Sequence, residues 1–155
     1  MSYQAKVLVV SDPVMRGERV DASGPAVVRA LQDAGFEVVE QATVADGAAS
    51  VAGDLARMAS AFTGLVVTTG GTGFGPRDLT PEGTAEVIDR QAPGFGEVMR
   101  RSSPLAPLSR GIAGVRGHTL VVNLPGSPTD AVECLSAVLD LLPRALSVLA
   151  GEPPR

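Results

Sequence analysis

Apolar runs alternate with polar, glycine-marked breaks along the whole chain. Lys6 to Val10, KVLVV, is short, β-branched and closed by Ser-Asp-Pro, which predicts a buried strand. Residues 13–22 are polar and read as a loop. From Ser23, the apolar Val27, Val28, Leu31 and Ala34 fall at helical spacing, with Gly35 placed to end the helix. FEVVEQATV alternates as a second strand that stops near Asp46. Ala48, Val51, Ala52, Leu55, Ala59 and Phe62 share one face of a second helix, which Gly64 would end; LVVTT is a third strand. Thr80 is placed to cap the next helix, with Pro81 at its first position, and that helix is predicted to reach about Gln91. PGFGEVMRRSS opens a short helix, and one further turn is expected around Leu105 to Arg110. VRGHTLVVNLPG predicts a hairpin turning at Gly117 and His118, followed by a strand from Thr119 to Leu124. SPTD forms a capping box, and a final helix buries Ala131, Cys134, Leu135, Val138, Leu141, Leu142 and Ala145, with Pro143 as a potential kink.

The order β-α-β-α-β-loop-α-α-β-α predicts one α/β domain over residues 1–155, a three-layer α/β/α sandwich with a mostly parallel sheet. Ligands of such sheets sit beyond the carboxyl ends of the strands. The strand tails are therefore the segments that matter: SDP, TVAD, TTGGTGFGPRD and NLPGSP.

Composition narrows the function. The 155 residues are 45% hydrophobic but only 3% aromatic, so the core is aliphatic. A formal charge of −4 argues against a general nucleic-acid binder, which needs a basic stripe. Lys6 is the only lysine, and an arginine-dominated set of cations suits carboxylate or phosphate partners. With Cys134 alone, no intrachain disulfide can form and a thiolate metal cluster is disfavoured. No secretory leader is recognisable, and no stretch reaches the roughly 18 uncharged apolar residues of a membrane span. A cytoplasmic protein is expected.

The loop after the third strand holds the densest chemistry. Gly70, Gly71 and Gly73 free backbone amides to form an anion nest, and Thr68, Thr69 and Thr72 add hydroxyls. No Gly-Lys-Ser/Thr follows, and Pro76 stands where a dinucleotide fingerprint needs its last glycine, so neither common phosphate motif applies. By glycine count the loop also reads as a plain connector. Asp78 would repel phosphate unless a cation lies between them, the way Mg²⁺ is bound by one or two carboxylates plus substrate phosphates. Asp46 is the candidate second carboxylate. Each has an ordinary alternative: Asp78 as a helix N-terminal charge or a partner of Arg77, Asp46 as a turn residue. Asn123, Gly126 and Ser127 stand at a strand end where polar ligands bind, although a simple capped turn accounts for Pro125 to Pro128 equally. His118 reads as an exposed turn residue and Cys134 as core.

TTGGTGFGPRDLTPE resembles the signature of the molybdopterin-binding superfamily. VSDPVMRGERVDASGP, PGFGEVMR, LSRGIAGVRGHTLVVNLPGSP and AVECL agree with it in the same order, over nearly the whole chain. The pattern is most similar to the single-domain MogA/MoaB family of molybdenum cofactor biosynthesis proteins, and to the G domain of gephyrin and its plant homologue. The resemblance implies a homotrimeric α/β sandwich and, in the MogA-like branch, adenylyl transfer: molybdopterin and Mg·ATP give adenylyl-molybdopterin and pyrophosphate, for use by a downstream molybdenum insertase. It implies that Asp78 and Asp46 are the catalytic, Mg²⁺-binding aspartates and that Thr69, Gly70, Gly71, Thr72 and Gly73 hold the nucleotide. It implies that Ser109 and Arg110, with Asn123, Pro125, Gly126 and Ser127, serve the pterin. Many relatives have Ser-Asp-Arg or Ser-Asn-Arg after the first strand; here Pro13 follows Asp12, leaving Arg16 or Arg19 to supply that cation. Some MoaB-type proteins lack parts of the Arg-Asp-x-Thr-Pro motif, whereas Arg77, Asp78, Thr80 and Pro81 are all present here. The alternative is a non-catalytic trimer that carries molybdopterin or acts as a scaffold.

Overall fold

The computed structural model describes residues 2–152. Strands β1 (Gln4–Val10), β2 (Glu37–Val44), β3 (Gly64–Thr69), β4 (Arg90–Gln91), β5 (Ala113–Arg116) and β6 (Thr119–Leu124) form one sheet in the order β2-β1-β3-β6-β5-β4. The first four strands in that order are parallel, and β5 and β4 extend the sheet through antiparallel pairs. The sheet is therefore mixed, with the expected parallel part running from the β2 edge through β6.

Helices cover both faces. α2 (Ser23–Asp33), α5 (Pro93–Met99), α6 (Pro128–Val138) and α7 (Leu142–Leu149) lie on one face; α3 (Ala48–Ala59) and α4 (Thr80–Val87) lie on the other. Because strand side chains alternate, Ala5, Val7, Leu65, Val67, Leu120 and Val122 join the first core, and Leu8, Val10, Val66 and Val121 join the second. β3 and β6 are buried at every position, as central parallel strands covered twice must be.

Local structure differs from the sequence expectation in five places. Residues 13–22 are not wholly loop: α1 (Asp12–Met15) forms because the Ser11 hydroxyl accepts from Val14 N at 3.3 Å and Pro13 suits a helix start. α3 ends at Ala59, where Ala61 turns to positive φ (50°), and Gly64 already belongs to β3. Thr80 does not cap α4; Leu79 holds the cap position, and the Thr80 hydroxyl instead donates to Gly70 O at 2.9 Å. α4 stops at Val87, since Arg90 and Gln91 find β5 as a pairing partner. The last helix is broken rather than kinked: a 3₁₀ turn, Leu139–Leu141, separates α6 from α7, Pro143 sits in the first turn of α7, and Leu141 is 45% exposed.

Candidate functional site

The carboxyl ends of the four parallel strands meet at one edge, and the glycine loop is built between them. Gly70 and Gly71 have φ of +106° and +67°, conformations that side chains rarely adopt. A Cβ on Gly70 would strike Val10 O, and one on Gly71 would strike the Thr80 hydroxyl. The loop is pinned from several sides. Thr80 N donates to Gly71 O at 3.0 Å, and the Thr69 hydroxyl donates to Pro125 O at 2.7 Å, tying the end of β3 to that of β6. The Arg110 guanidinium donates to Gly73 O at 2.9 Å and Asp78 O at 2.6 Å, and makes a bidentate pair with Glu82.

Two clefts flank this loop. The first, of about 420 Å³, is lined by Ser11, Arg19, Asp46, Thr69, Gly70 and others. The second, of about 380 Å³, is lined by Thr72, Gly73, Leu105, Leu108, Ser109 and Pro125, with Ser103, Asp130 and Cys134 among the rest. Gly71, Asp78, Gly126 and Ser127 border both. A ligand with two chemically different ends could thus lie across the loop.

Asp46 and Asp78 share the first cleft. In Asp46, Oδ2 accepts from Asp12 N at 2.9 Å, whereas Oδ1 has no hydrogen bond among the described residues and lies 3.1 Å from where a Gly71 Cβ would stand. In Asp78, Oδ2 accepts from Gly75 N at 2.9 Å, and Oδ1 is likewise unbonded among the described residues. Each carboxylate is held by one oxygen and offers the other. Burial pushes the Asp46 carboxyl above its ordinary value, with the Asp12 and Asp78 charges adding to the rise and the Asp12 N–H bond opposing it. A cation between the two carboxylates would relieve that cost. Among the described residues no group of three or more His, Cys, Asp or Glu is assembled to hold a metal, so an ion here would complete its shell from substrate and water. Hard oxygens of this number match Mg²⁺.

The structure sorts the sequence candidates. Thr69 and Gly70 line the first cleft, Thr72 and Gly73 the second, and Gly71 both. The Gly70 amide, expected to join an anion nest, instead donates to Leu124 O at 3.1 Å and extends the strand pairing. Ser109 and Pro125 line the second cleft. Two candidates line neither cleft. Asn123 is 1% exposed, and its amide is spent on Thr68, Thr84 and Ile112, so it braces the sheet end and touches neither cleft. Arg110 is occupied by the loop and Glu82 and lines neither cleft. The Arg77 guanidinium pairs with Asp12 rather than Asp78. Of the two candidate cations after β1, Arg19 lines the first cleft and donates to the Ser11 hydroxyl at 3.1 Å, while Arg16 pairs with Glu18 at 3.1 Å. His118 is an exposed turn residue and Cys134 is buried, as expected. Sequence reasoning did not single out Asp130, which lines the second cleft, or Asp12, which lines neither cleft but bonds to Asp46; for Asp12 the signal was its place in a strand tail beside that of Asp46. No helix among the described residues is long and apolar enough to cross a membrane.

Residues 6–144 match the family profile "Probable molybdopterin binding domain". The molybdopterin adenylyltransferase of Helicobacter pylori strain J99 is 40% identical over 152 residues, covering 94% of this chain and 86% of the relative. Among solved structures, the molybdopterin biosynthesis enzyme MoaB of Thermus thermophilus superposes with a TM-score of 0.90 at 45% identity, covering 99% of each chain. The molybdopterin biosynthesis Mog protein of Mycobacterium ulcerans superposes with a TM-score of 0.89 at 36% identity, covering 98% of this chain and 99% of the other.

Proposed function

The chain belongs to the molybdopterin-binding domain family of molybdenum cofactor biosynthesis proteins, and from that premise we propose that it is a molybdopterin adenylyltransferase. Its substrates are molybdopterin and ATP, with Mg²⁺ as the cofactor. The observation that carries this reading is the pair Asp46 and Asp78: each is fixed through one oxygen, each offers the other, and both line the first cleft beside Gly71.

ATP fills the first cleft, with its phosphates on the glycine loop and Arg19 beside them; the pterin fills the second, against Leu105, Leu108 and Ser109. The terminal phosphate of molybdopterin attacks the α-phosphorus of ATP near the shared border, the bond to the β-phosphate oxygen breaks, and pyrophosphate leaves. Asp78 and Asp46 would hold Mg²⁺, which would supply positive charge against the transferring group and the leaving pyrophosphate. The chain itself does little covalent work. The loop amides from Gly71 onward orient the phosphates, Gly70 anchors the turn by donating its N–H to Leu124 O at 3.1 Å, and Arg110 and Asn123 hold the loop and the sheet end from behind.

The family resemblance extends the proposal to a homotrimer, a cytoplasmic setting and a downstream insertase as consumer of the adenylylated product. Sedimentation of the purified chain tests the first. The decisive experiment for function is pyrophosphate release from ATP on adding molybdopterin and Mg²⁺. A molybdopterin carrier or scaffold would bind the pterin without releasing pyrophosphate, and that outcome would overturn the enzyme.

A further inference from the structure

A reciprocal set of hydrogen bonds joins the tails of β1 and β2 to the glycine loop. Asp12 N donates to Asp46 Oδ2 at 2.9 Å, and Asp46 N donates back to Asp12 Oδ1 at 3.1 Å. Arg77 closes the set: Nε donates to Asp12 Oδ2 at 2.6 Å, and Nη2 donates to Asp12 Oδ1 at 3.1 Å and to Asp46 O at 2.8 Å. The partners are 31 to 65 residues apart in sequence, so none of these bonds is a local turn. The Arg77 side chain is 62% exposed, and an ion pair that open to water adds little to stability. What the set does accomplish is geometric. It fixes the backbone and one oxygen of Asp46 and leaves Oδ1 as its single unbonded oxygen among the described residues, on the side of Gly71.

We propose that Asp12 and Arg77 are positioning residues that hold the Asp46 carboxylate so that only its Oδ1 is presented to the divalent cation. The proposal rests on the reading of Asp46 as a metal ligand given above. Groups that orient a ligand without touching the metal commonly control its affinity by about 10- to 100-fold. Arg77 is also the neighbour of Asp78, so the same guanidinium that secures Asp46 ties down the backbone next to the second carboxylate. Lysine cannot reproduce this, because the three acceptors need the planar fork of arginine.

The test measures Mn²⁺ binding by electron paramagnetic resonance on the whole chain with α,β-methylene ATP, whose α–β bridge cannot be cleaved by transfer. Asp12→Ala and Arg77→Ala should each weaken Mn²⁺ binding by about tenfold, Arg77→Lys should not restore it, and the double variant should lose no more than either alone. Turnover of the single variants should recover toward wild type in excess Mg²⁺, a response that a merely structural role would not give. Asp12→Asn, which keeps an acceptor for Asp46 N but weakens the grip on Arg77, provides a second, milder variant should Asp12→Ala fail to fold. Mn²⁺ affinity within about twofold of wild type in Asp12→Asn and Arg77→Ala, with Asp46→Asn weakened, overturns the clamp and leaves Asp46 a ligand. Wild-type affinity in Asp46→Asn overturns the ligand assignment and the clamp together.

Discussion

The two clefts on either side of the glycine loop are similar in size, about 420 and 380 Å³, yet differ in chemistry. The first combines Arg19, the Thr69–Gly71 backbone and the Asp46–Asp78 pair. The second has hydroxyls from Thr72, Ser103 and Ser109, the exposed Leu105 and Leu108, and carboxylates at Asp130 and the shared Asp78, with no cation in its lining among the described residues. On the proposed reading, the polyphosphate with its metal takes the first and the pterin ring takes the second. The difference teaches how, on the proposed reading, one short loop serves two ligands: Thr69 and Gly70 line one cleft, Thr72 and Gly73 the other, and Gly71 both. Gly71 and Gly126 make the border thin: a Cβ on Gly126 would come within 3.3 Å of Gly70 Cα.

The sharpest way to break this division is Asp78→Asn. Turnover should fall by about 100-fold or more, as when one electrostatic stabiliser of a transition state is lost, while pterin affinity by fluorescence titration stays close to wild type. Unchanged turnover would remove Asp78 from the chemistry. Gly71→Ala comes next, because the new Cβ meets the Thr80 hydroxyl at a positive φ. It should weaken both ligands and cost about 1–3 kcal/mol of stability in urea unfolding; loss of only one ligand would show that the border is not shared. A pair of opposite, smaller effects follows. Arg19→Ala should raise the KM for ATP by about tenfold with pterin binding kept, as loss of a charge-assisted hydrogen bond would. Leu108→Glu should weaken pterin binding and spare the KM for ATP. If both variants affect the same ligand, the assignment of the clefts is wrong.

The smallest effect concerns the brace behind the loop. Arg110 holds the Glu82 carboxyl below its ordinary value of 4.5. Glu82 is therefore stabilising above that pH, and its contribution disappears as pH falls through the lowered folded value. The pair is partly open to water, so Glu82→Gln should lower stability by well under about 1 kcal/mol near neutral pH. The difference from wild type should vanish in acid, as read from thermal melts across pH. A constant difference would mean that packing, not charge, makes the brace.

Much of this molecule was legible from side-chain order alone. The central strands announced themselves as β-branched apolar runs, because a strand covered on both faces tolerates little else. Gly70 and Gly71 marked a turn that side chains disfavour, and the ordered motifs pointed to the family. These are local properties, set by side-chain period and backbone freedom. Partnership was not legible. Thr80 looked like a helix cap and is a tie to Gly70; Asn123 bonds to Thr68 and Arg110 to Gly73, partners the sequence did not name; Arg77 stood beside Asp78 in sequence and pairs with Asp12. Which polar group meets which depends on the parallel register of β1, β2 and β3, which sets Val10 beside Val44 and Val9 beside Thr69. That register brings Asp12, Asp46 and Arg77 together from 34 and 65 residues apart. A side chain's period names the face it occupies; only the packed sheet decides which donor waits there for it.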